Sequence, residues 1–274
     1  PELKAYYQQW ENTLGASFFK PKKIVRVFSS AGEQNTWLSK ASNPKYQPYC
    51  SFSSRNIDGL NGSFGVLEVH HGGHLNLQQF MAVCHQQLPT RNEEFSFQDL
   101  DLESRSYQDI SFKYLVFSEG YKLSENPFFN YLPLVPTKGE ILQIETGLTY
   151  QQETYIGSVF LQHKEGNIWW AGSTYKNNDA TTHQTKEMRA NLEARIKRFL
   201  KVDYKVIEHL VGVRPAVKDR RPLVGEHPTL KGVYILNGLG SKGSSLAPLM
   251  AKDLLNFIFK GTAIHPEASI ERFE

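Results

Sequence analysis

Apolar residues recur at helical spacing from the first turn of the chain. In "LKAYYQQWENTLG" they fall at Leu3, Tyr6, Tyr7, Trp10 and Leu14, predicting a helix capped by Gly15. "KKIVRVFSS" reads as a strand, and Ser30 to Gly62, rich in Ser, Asn, Pro and Gly, as loops with a short helix around Trp37. "GVLEVHHGGHLNLQQFMAVCHQQL" predicts a strand, a glycine turn and a helix with Leu77, Phe80, Met81, Cys84 and Leu88 on its apolar face. "EEFSFQDLDLES" alternates like a surface strand. "FKYLVFSEG" is a short apolar strand stopping at Gly120, the pattern of a strand whose carboxyl end meets a ligand or a tight crossing.

From Lys138 the pattern turns β-rich. "GEILQIET" and "YIGSVFLQHKEGNIWWAGSTY", with "KEGN" as a hairpin turn, precede a helix in which Met188, Leu192, Ile196, Phe199 and Leu200 repeat. "YKVIEHLVGVRP" and "GVYILN" are further strands, and "SSLAPLMAKDLLNFIF" is a closing helix. Strands interleaved with helices around a hairpin-rich middle predict a mixed α/β (α+β) chain containing an antiparallel sheet.

Composition narrows the function classes. With 274 residues, 40% hydrophobic and 22% charged, the chain has the balance of a soluble globular protein of one large or two ordinary domains. No apolar run reaches the length of a membrane span and "PELKAYYQQW" lacks the build of a signal peptide, so a cytoplasmic address and no membrane partner are expected. Cys50 and Cys84 are too few for a disulfide framework or a zinc site. A net charge of +3 predicts no dominant polyanion partner and no DNA, while leaving room for a local basic patch such as "KPKK" or "KDRR". The chain starts at Pro1 without a methionine, which suggests a piece of a longer protein.

The candidate chemistry concentrates near the carboxyl end. "GLGSKG", Gly238 to Gly243, has the glycine spacing of a dinucleotide loop, but such a loop should open a βαβ unit, and no second strand can follow the last helix. The remaining readings are a glycine turn whose backbone approaches a ligand, with Ser244 and Ser245 where a helix N-cap is expected, or an ordinary strand-to-helix turn. Arg214, fixed by the following Pro215, could grip a carboxylate with two parallel hydrogen bonds, or sit in an ion pair with Asp219 or Glu226. His70 and His74 of "VHHGGH" could hold a metal if they shared a strand face, but the glycines favour turn histidines and no metal site is expected. Phe160, Trp169, Trp170 and Tyr175 line a hairpin and either wall a pocket or fill a core. No Ser-His-Asp or Cys-His arrangement and no nucleotide-hydrolysing P-loop can be assembled.

"GVRP", "KDRRPLVGEHP" and "GLGSKGSSLAP" together resemble the closing segment of the flavin-dependent amine oxidases of the D-amino acid oxidase superfamily, in particular glycine oxidase and the oxidase half of the bifunctional tRNA wobble-uridine enzyme. More weakly, "FKYLVFSEGYKLSENPFFNYLPLVPTKGEIL" and "FLQHKEGNIWWAGSTY" resemble that family's approach to the cofactor and its substrate-domain hairpin. The resemblance implies a two-domain flavoprotein fold with a mixed or antiparallel substrate-domain sheet: residues 1–65 and 125–211 as substrate domain, 66–124 and 212–262 as the rest of the FAD domain, and 263–274 as a tail. It implies FAD as cofactor, held by Gly120, Gly238, Gly240, Ser241, Lys242, Gly243 and Ser244. A small amine or amino acid would be held by Arg214, Phe160 and Lys242, with Phe160 about where glycine oxidase has a substrate-facing tyrosine. The family's N-terminal dinucleotide unit is not in this sequence, so weak or no FAD binding is expected of the chain alone. The activity implied is oxidation of a C–N bond by hydride transfer to the flavin. The alternatives are oxidation of carboxymethylaminomethyl-uridine in tRNA, and a flavin-free binding module.

Overall fold

The computed structural model describes residues 2–149 and 152–273; Pro1 and the final residue of the expected tail lie outside them. Helix α1 (Glu2–Leu14) ends at Gly15, whose φ of +62° suits the predicted cap. It leads into β1 (Phe19–Pro21) and β2 (Lys23–Val27). Helix α2 (Ala31–Ala41), capped by Ser30, is the short helix around Trp37. There follow β3 (Cys50–Ser53), β4 (Val66–Val69), β5 (Gly73–Leu75) and α3 (Leu77–Gln87). "EEFSFQDLDLES" is not one surface strand: it forms a 3-10 turn and the first of three two-residue strands, β6 (Leu100–Asp101), β7 (Ser106–Tyr107) and β8 (Ile110–Ser111). Asp101 accepts from the Glu103 and Ser104 amides, which turns the chain before the alternation can extend. β9 (Leu115–Phe117) precedes the long β10 (Leu134–Thr146). The rest comprises β11 (Glu153–Ile156), β12 (Phe160–Glu165), β13 (Ile168–Gly172), β14 (Lys176–Asn177), α4 (Lys186–Phe199), β15 (Tyr204–Val217), β16 (Leu223–Glu226), β17 (Val233–Asn237) and α5 (Gly243–Lys260).

A nine-stranded mixed sheet dominates. β10 pairs with β15 along its whole length on one edge and with β13 and β14 on the other, and the sheet continues through β12, β11, β2, β4 and β3. Its strands alternate, so one face carries Leu142, Tyr155, Leu161, Ala171 and Val25, all fully buried, against Leu192, Ile196 and Phe199 of α4. Trp169 belongs to this core, whereas Trp170 points to the other, half-buried face. A smaller three-stranded sheet orders β16, β17 and β9, with β17 and β9 parallel. Met250 and Leu254 of α5 cover one side of it. The segment read as a tail packs here too: Ile264, Ala268 and Ile270 are buried, and Val224 bridges to Ser269.

The apolar stripe of α3 is only partly covered. Phe80 meets the rings of Phe18 and Tyr7, but Leu77, Met81 and Leu88 are exposed, because the described elements pack against one edge of the helix alone.

Three charged or titratable groups are sealed behind the large sheet. Lys138, Glu140 and His209 are all buried; Glu140 Oε1 lies 3.4 Å from Lys138 Nζ, and Oε2 lies 2.6 Å from His209 Nε2. Thr185, the N-cap of α4, donates to the same carboxylate from its amide and hydroxyl, and Lys138 donates to Thr181 and the His183 carbonyl. Burial alone would raise the Glu140 carboxyl, but the Thr185 hydrogen bonds and the charges of His209 and Lys138 outweigh it and hold the group below its ordinary value of 4.5. A depressed folded-state pKa stabilises the protein above the ordinary value, and the contribution is lost as pH falls through the folded-state value. Glu140→Gln is therefore expected to cost about 3–5 kcal/mol by leaving Lys138 buried without its counter-charge. Denaturant titrations at neutral and acidic pH should show the gap between wild type and variant closing on acidification.

Candidate functional site

Parallel strands β9 and β17 end side by side, and each runs into a glycine in left-handed conformation: Gly120 with φ +63° and Gly238 with φ +72°. Asn237 ties the two ends together by donating to the Gly120 carbonyl at 3.0 Å. The carboxyl ends of parallel strands are where open α/β sheets bind ligands, since the loops there diverge and leave backbone amides free. A side chain at Gly238 would collide with Val217 and Leu223, and Gly240, φ +54°, lies over the backbone of Ala216. The glycine loop is thereby pressed onto the end of β15, two residues from Arg214.

The loop makes one 3-10 turn, Gly240–Lys242, and becomes α5. Ser244 and Ser245 are not the N-cap. Lys242 occupies that position without a side-chain cap, and Ser245 Oγ instead donates back to the Lys242 carbonyl at 3.0 Å, because the extra turn moves the helix start upstream of both serines. The side chains of Ser241, Lys242 and Ser244 are exposed. Pro248, inside α5, has no amide to give to the Ser244 carbonyl one turn back, and the buried Tyr7 hydroxyl of α1 supplies that hydrogen bond. Burial, with Tyr6 adding, pushes Tyr7 up to about 12.

Arg214 lies on the half-buried face of the large sheet and reaches across β10 at Gly139. A Cβ there would stand 2.2–2.5 Å from the guanidinium. Beyond Gly139 the strand edge is broken between β13 and β14, and residues 173–175 of that break receive the side chain: Nη2 donates to Ser173 Oγ at 3.0 Å, Nη1 to the Thr174 carbonyl at 3.4 Å, and Tyr175 stacks at 4.3 Å. The ion pair with Asp219 or Glu226 does not form: Asp219 binds Arg272 and Glu226 binds Lys231. Among the described residues no carboxylate lies within ion-pair reach of Arg214, and all its polar partners are neutral. Phe160 joins the same neighbourhood, its ring covering Gly172 next to Ser173. Sequence reading missed Gly139, Ser173, Thr174 and Asn237, since none sits in a recognisable motif.

The candidate metal histidines separate. The chain turns at His71, φ +61°; His70 bonds Ser51 at 2.8 Å, while His74 lies on β5 edge-on to Trp170. No cluster able to hold a metal occurs among the described residues, and Cys50 and Cys84 are both free. No helix among them is long and apolar enough to cross a membrane.

A family model described as DAO, FAD dependent oxidoreductase, matches residues 6–256. The chain belongs to this family. It is 24% identical over 189 residues to a tRNA 5-methylaminomethyl-2-thiouridine biosynthesis bifunctional protein MnmC of Actinobacillus pleuropneumoniae, covering 54% of this chain and 28% of that protein. Glycine oxidase from Geobacillus kaustophilus superposes with a TM-score of 0.79 at 16% identity over 97% of this chain and 80% of its own. Glycine oxidase from Bacillus cereus does so with 0.76 at 18% over 96% and 80%. The fold is thus that of D-amino acid oxidase-like flavoproteins, and the chain spans about a quarter of the curated relatives it matches.

The residues present leave room for the FAD that the family description names. Side chains added at Gly120 or Gly243 would meet nothing within 4 Å, so both glycines border open space, and the uncapped start of α5 offers amides and a positive helix end to a polar ring edge.

Two substitutions probe this geometry. In Gly139→Ala the nearest atoms in the way of the new methyl are the movable end of Arg214, so the fold should survive with a melting temperature within a few degrees of wild type, while affinity for a small free carboxylate, read by isothermal titration, falls. Tyr7→Phe should cost about 1 kcal/mol at neutral pH. Because the raised hydroxyl stabilises the fold below pH 10 and less as pH climbs toward 12, the variant's melting curve should lose less between those limits.

Proposed function

We propose that the chain carries the substrate-orienting half of an FAD-dependent oxidase acting on a small amino acid or N-substituted glycine. The observation that carries this reading is Arg214, a guanidinium held over a bare glycine strand position with neutral partners only and no acidic one among the described residues. Such a group has capacity left for a carboxylate, which it would bind with two parallel hydrogen bonds. Tyr175 and Ser173 restrict its rotation, so a bound amino acid is oriented as well as held. Phe160, Ile141 and Gly172 give an apolar floor beside it that displaces water from the α-carbon. The loop after Gly240 and the positive end of α5 would hold the cofactor's polar edge and favour negative charge there. FAD, when bound, supplies the hydride acceptor, so that C–N oxidation leaves an imine for water to hydrolyse.

A second reading is favoured by the MnmC relatives: a carboxymethylaminomethyl group on tRNA is itself an N-substituted glycine, and the same arginine would serve it.

In the flavin-loaded protein, Arg214→Ala should raise KM for glycine or sarcosine by about 10- to 100-fold, the worth of a charged hydrogen bond, with a smaller effect on kcat and partial rescue in Arg214→Lys. Steady-state oxygen uptake measures both constants. Unchanged KM removes Arg214 from the site.

A further inference from the structure

Helix α4 is seated on the large sheet by Leu192, Ile196 and Phe199, all buried, and needs no ion for that contact. Among them it carries Arg195, a half-buried guanidinium with no carboxylate in ion-pair reach among the described residues. Its N–H groups go to main-chain carbonyls instead. Nε donates to Ser158 at 2.7 Å, Nη2 to the same carbonyl, and Nη1 to Ser173 at 3.0 Å. The Ser158 hydroxyl returns a hydrogen bond of 2.8 Å to the Arg195 carbonyl. Burial first, and then Arg198, hold the Arg195 pKa below its ordinary value, so placing a cation here works against its charge.

Both carbonyls lie where the β ladder is interrupted. Ser158 sits in the turn between the end of β11 at Ile156 and the start of β12 at Phe160, and Ser173 between the end of β13 at Gly172 and the start of β14 at Lys176. A carbonyl outside the ladder needs another donor when water cannot reach it. Each serine also adjoins one wall of the candidate site. Two residues after Ser158, the Phe160 ring covers Gly172; the Ser173 hydroxyl accepts from Arg214 at 3.0 Å, and two residues further on Tyr175 stacks on the same guanidinium. From the opposite face of the sheet, Arg195 therefore ties the root of Phe160 to the residue on which Arg214 rests.

Phe160 and Arg214 come from strands that are not neighbours. β13 and β10 lie between β12 and β15, so the two backbones stand roughly 14 Å apart, three strand spacings. The ladder sets that separation. It does not set where the two side chains end, because the turn before Phe160 and the break that receives Arg214 are both outside it. An amino acid bound with its carboxylate on Arg214 and its α-carbon beside Phe160 must meet both at once, and reaction rates fall steeply with misplacement on the scale of 1 Å.

We propose that Arg195 is a positioning residue: its clamp on Ser158 and Ser173 sets the spacing between the Phe160 ring and the Arg214 guanidinium. This rests on the reading of Arg214 as the carboxylate anchor. Arg195 acts through the two serines and is not itself placed against the substrate.

Isothermal titration of the full chain with sarcosine tests the clamp. Arg195→Met, which keeps the side-chain stem, should weaken binding about 5- to 20-fold, the size of coupling found between residues that share a partner. Arg195→Lys keeps the charge but lacks the fork that serves two carbonyls, so it should weaken binding about 3- to 10-fold. In an Arg214→Ala background, Arg195→Met should change affinity less than about 2-fold. Arg198→Met, at an exposed neighbour, should change nothing. Circular dichroism should show each variant folded; if Arg195→Met unfolds, Arg195→Lys carries the same comparison. Unchanged affinity in Arg195→Met, full affinity in Arg195→Lys, or an equal loss with and without Arg214 overturns the proposal. A second readout does not depend on sarcosine: the side-chain N–H NMR signal of Arg214, identified by its loss in Arg214→Ala, should shift and broaden in both Arg195 variants. An unmoved signal overturns the proposal, whereas a moved signal with sarcosine affinity unchanged in Arg214→Ala supports the clamp and overturns the carboxylate reading alone.

Discussion

A single side chain crossing a single strand organises the half-buried face of the large sheet. Arg214 leaves β15, passes over Gly139 and ends against residues 173–175, and each part of that path depends on the others. Any Cβ at position 139 would expel the guanidinium. An unbroken edge from β13 to β14 would remove the hydroxyl, carbonyl and ring that receive it. The break is itself held from behind: Thr174 exchanges hydrogen bonds with Glu140 through its amide and hydroxyl, and the Glu140 carboxylate is locked among Lys138, His209 and the start of α4. A buried ionic cluster on one face of a strand thus fixes a cation on the other.

The glycine loop follows a related logic. Glycines let the loop after β17 lie on the end of β15, so the guanidinium and the helix start are set by the same strand. Tyr7 repairs the hydrogen-bond deficit that Pro248 leaves in α5, which couples the first helix of the chain to the loop formed near its end. The family match and the superposition on glycine oxidases show the fold in which this loop sits. The loop "GLGSKG" joins the middle strand of the three-stranded sheet to α5 and lies beside the end of β9.

Much was legible in the chain alone. Among the described residues, periodicity located helices α1, α3, α4 and α5 and the longer strands, since amphipathic spacing is a local property. Where it failed, a local competitor or a missing neighbour was responsible: the Asp101 turn broke an alternating run, and α3 has an apolar stripe larger than the surface packed against it. Ser244 and Ser245 were plausible caps by type, but the helix starts at Gly243, ahead of both.

By itself, the sequence determined the element types, the glycine-dependent turns and the arginine beside a proline, because each follows from backbone sterics and side-chain chemistry within a few residues. Tertiary structure alone decided which charges remain available. Asp219, Glu226, Glu68 and Glu267 each chose a partner other than Arg214. Ion pairing depends on distances between residues remote in sequence, so only the folded chain could show which cations have a carboxylate partner and which do not.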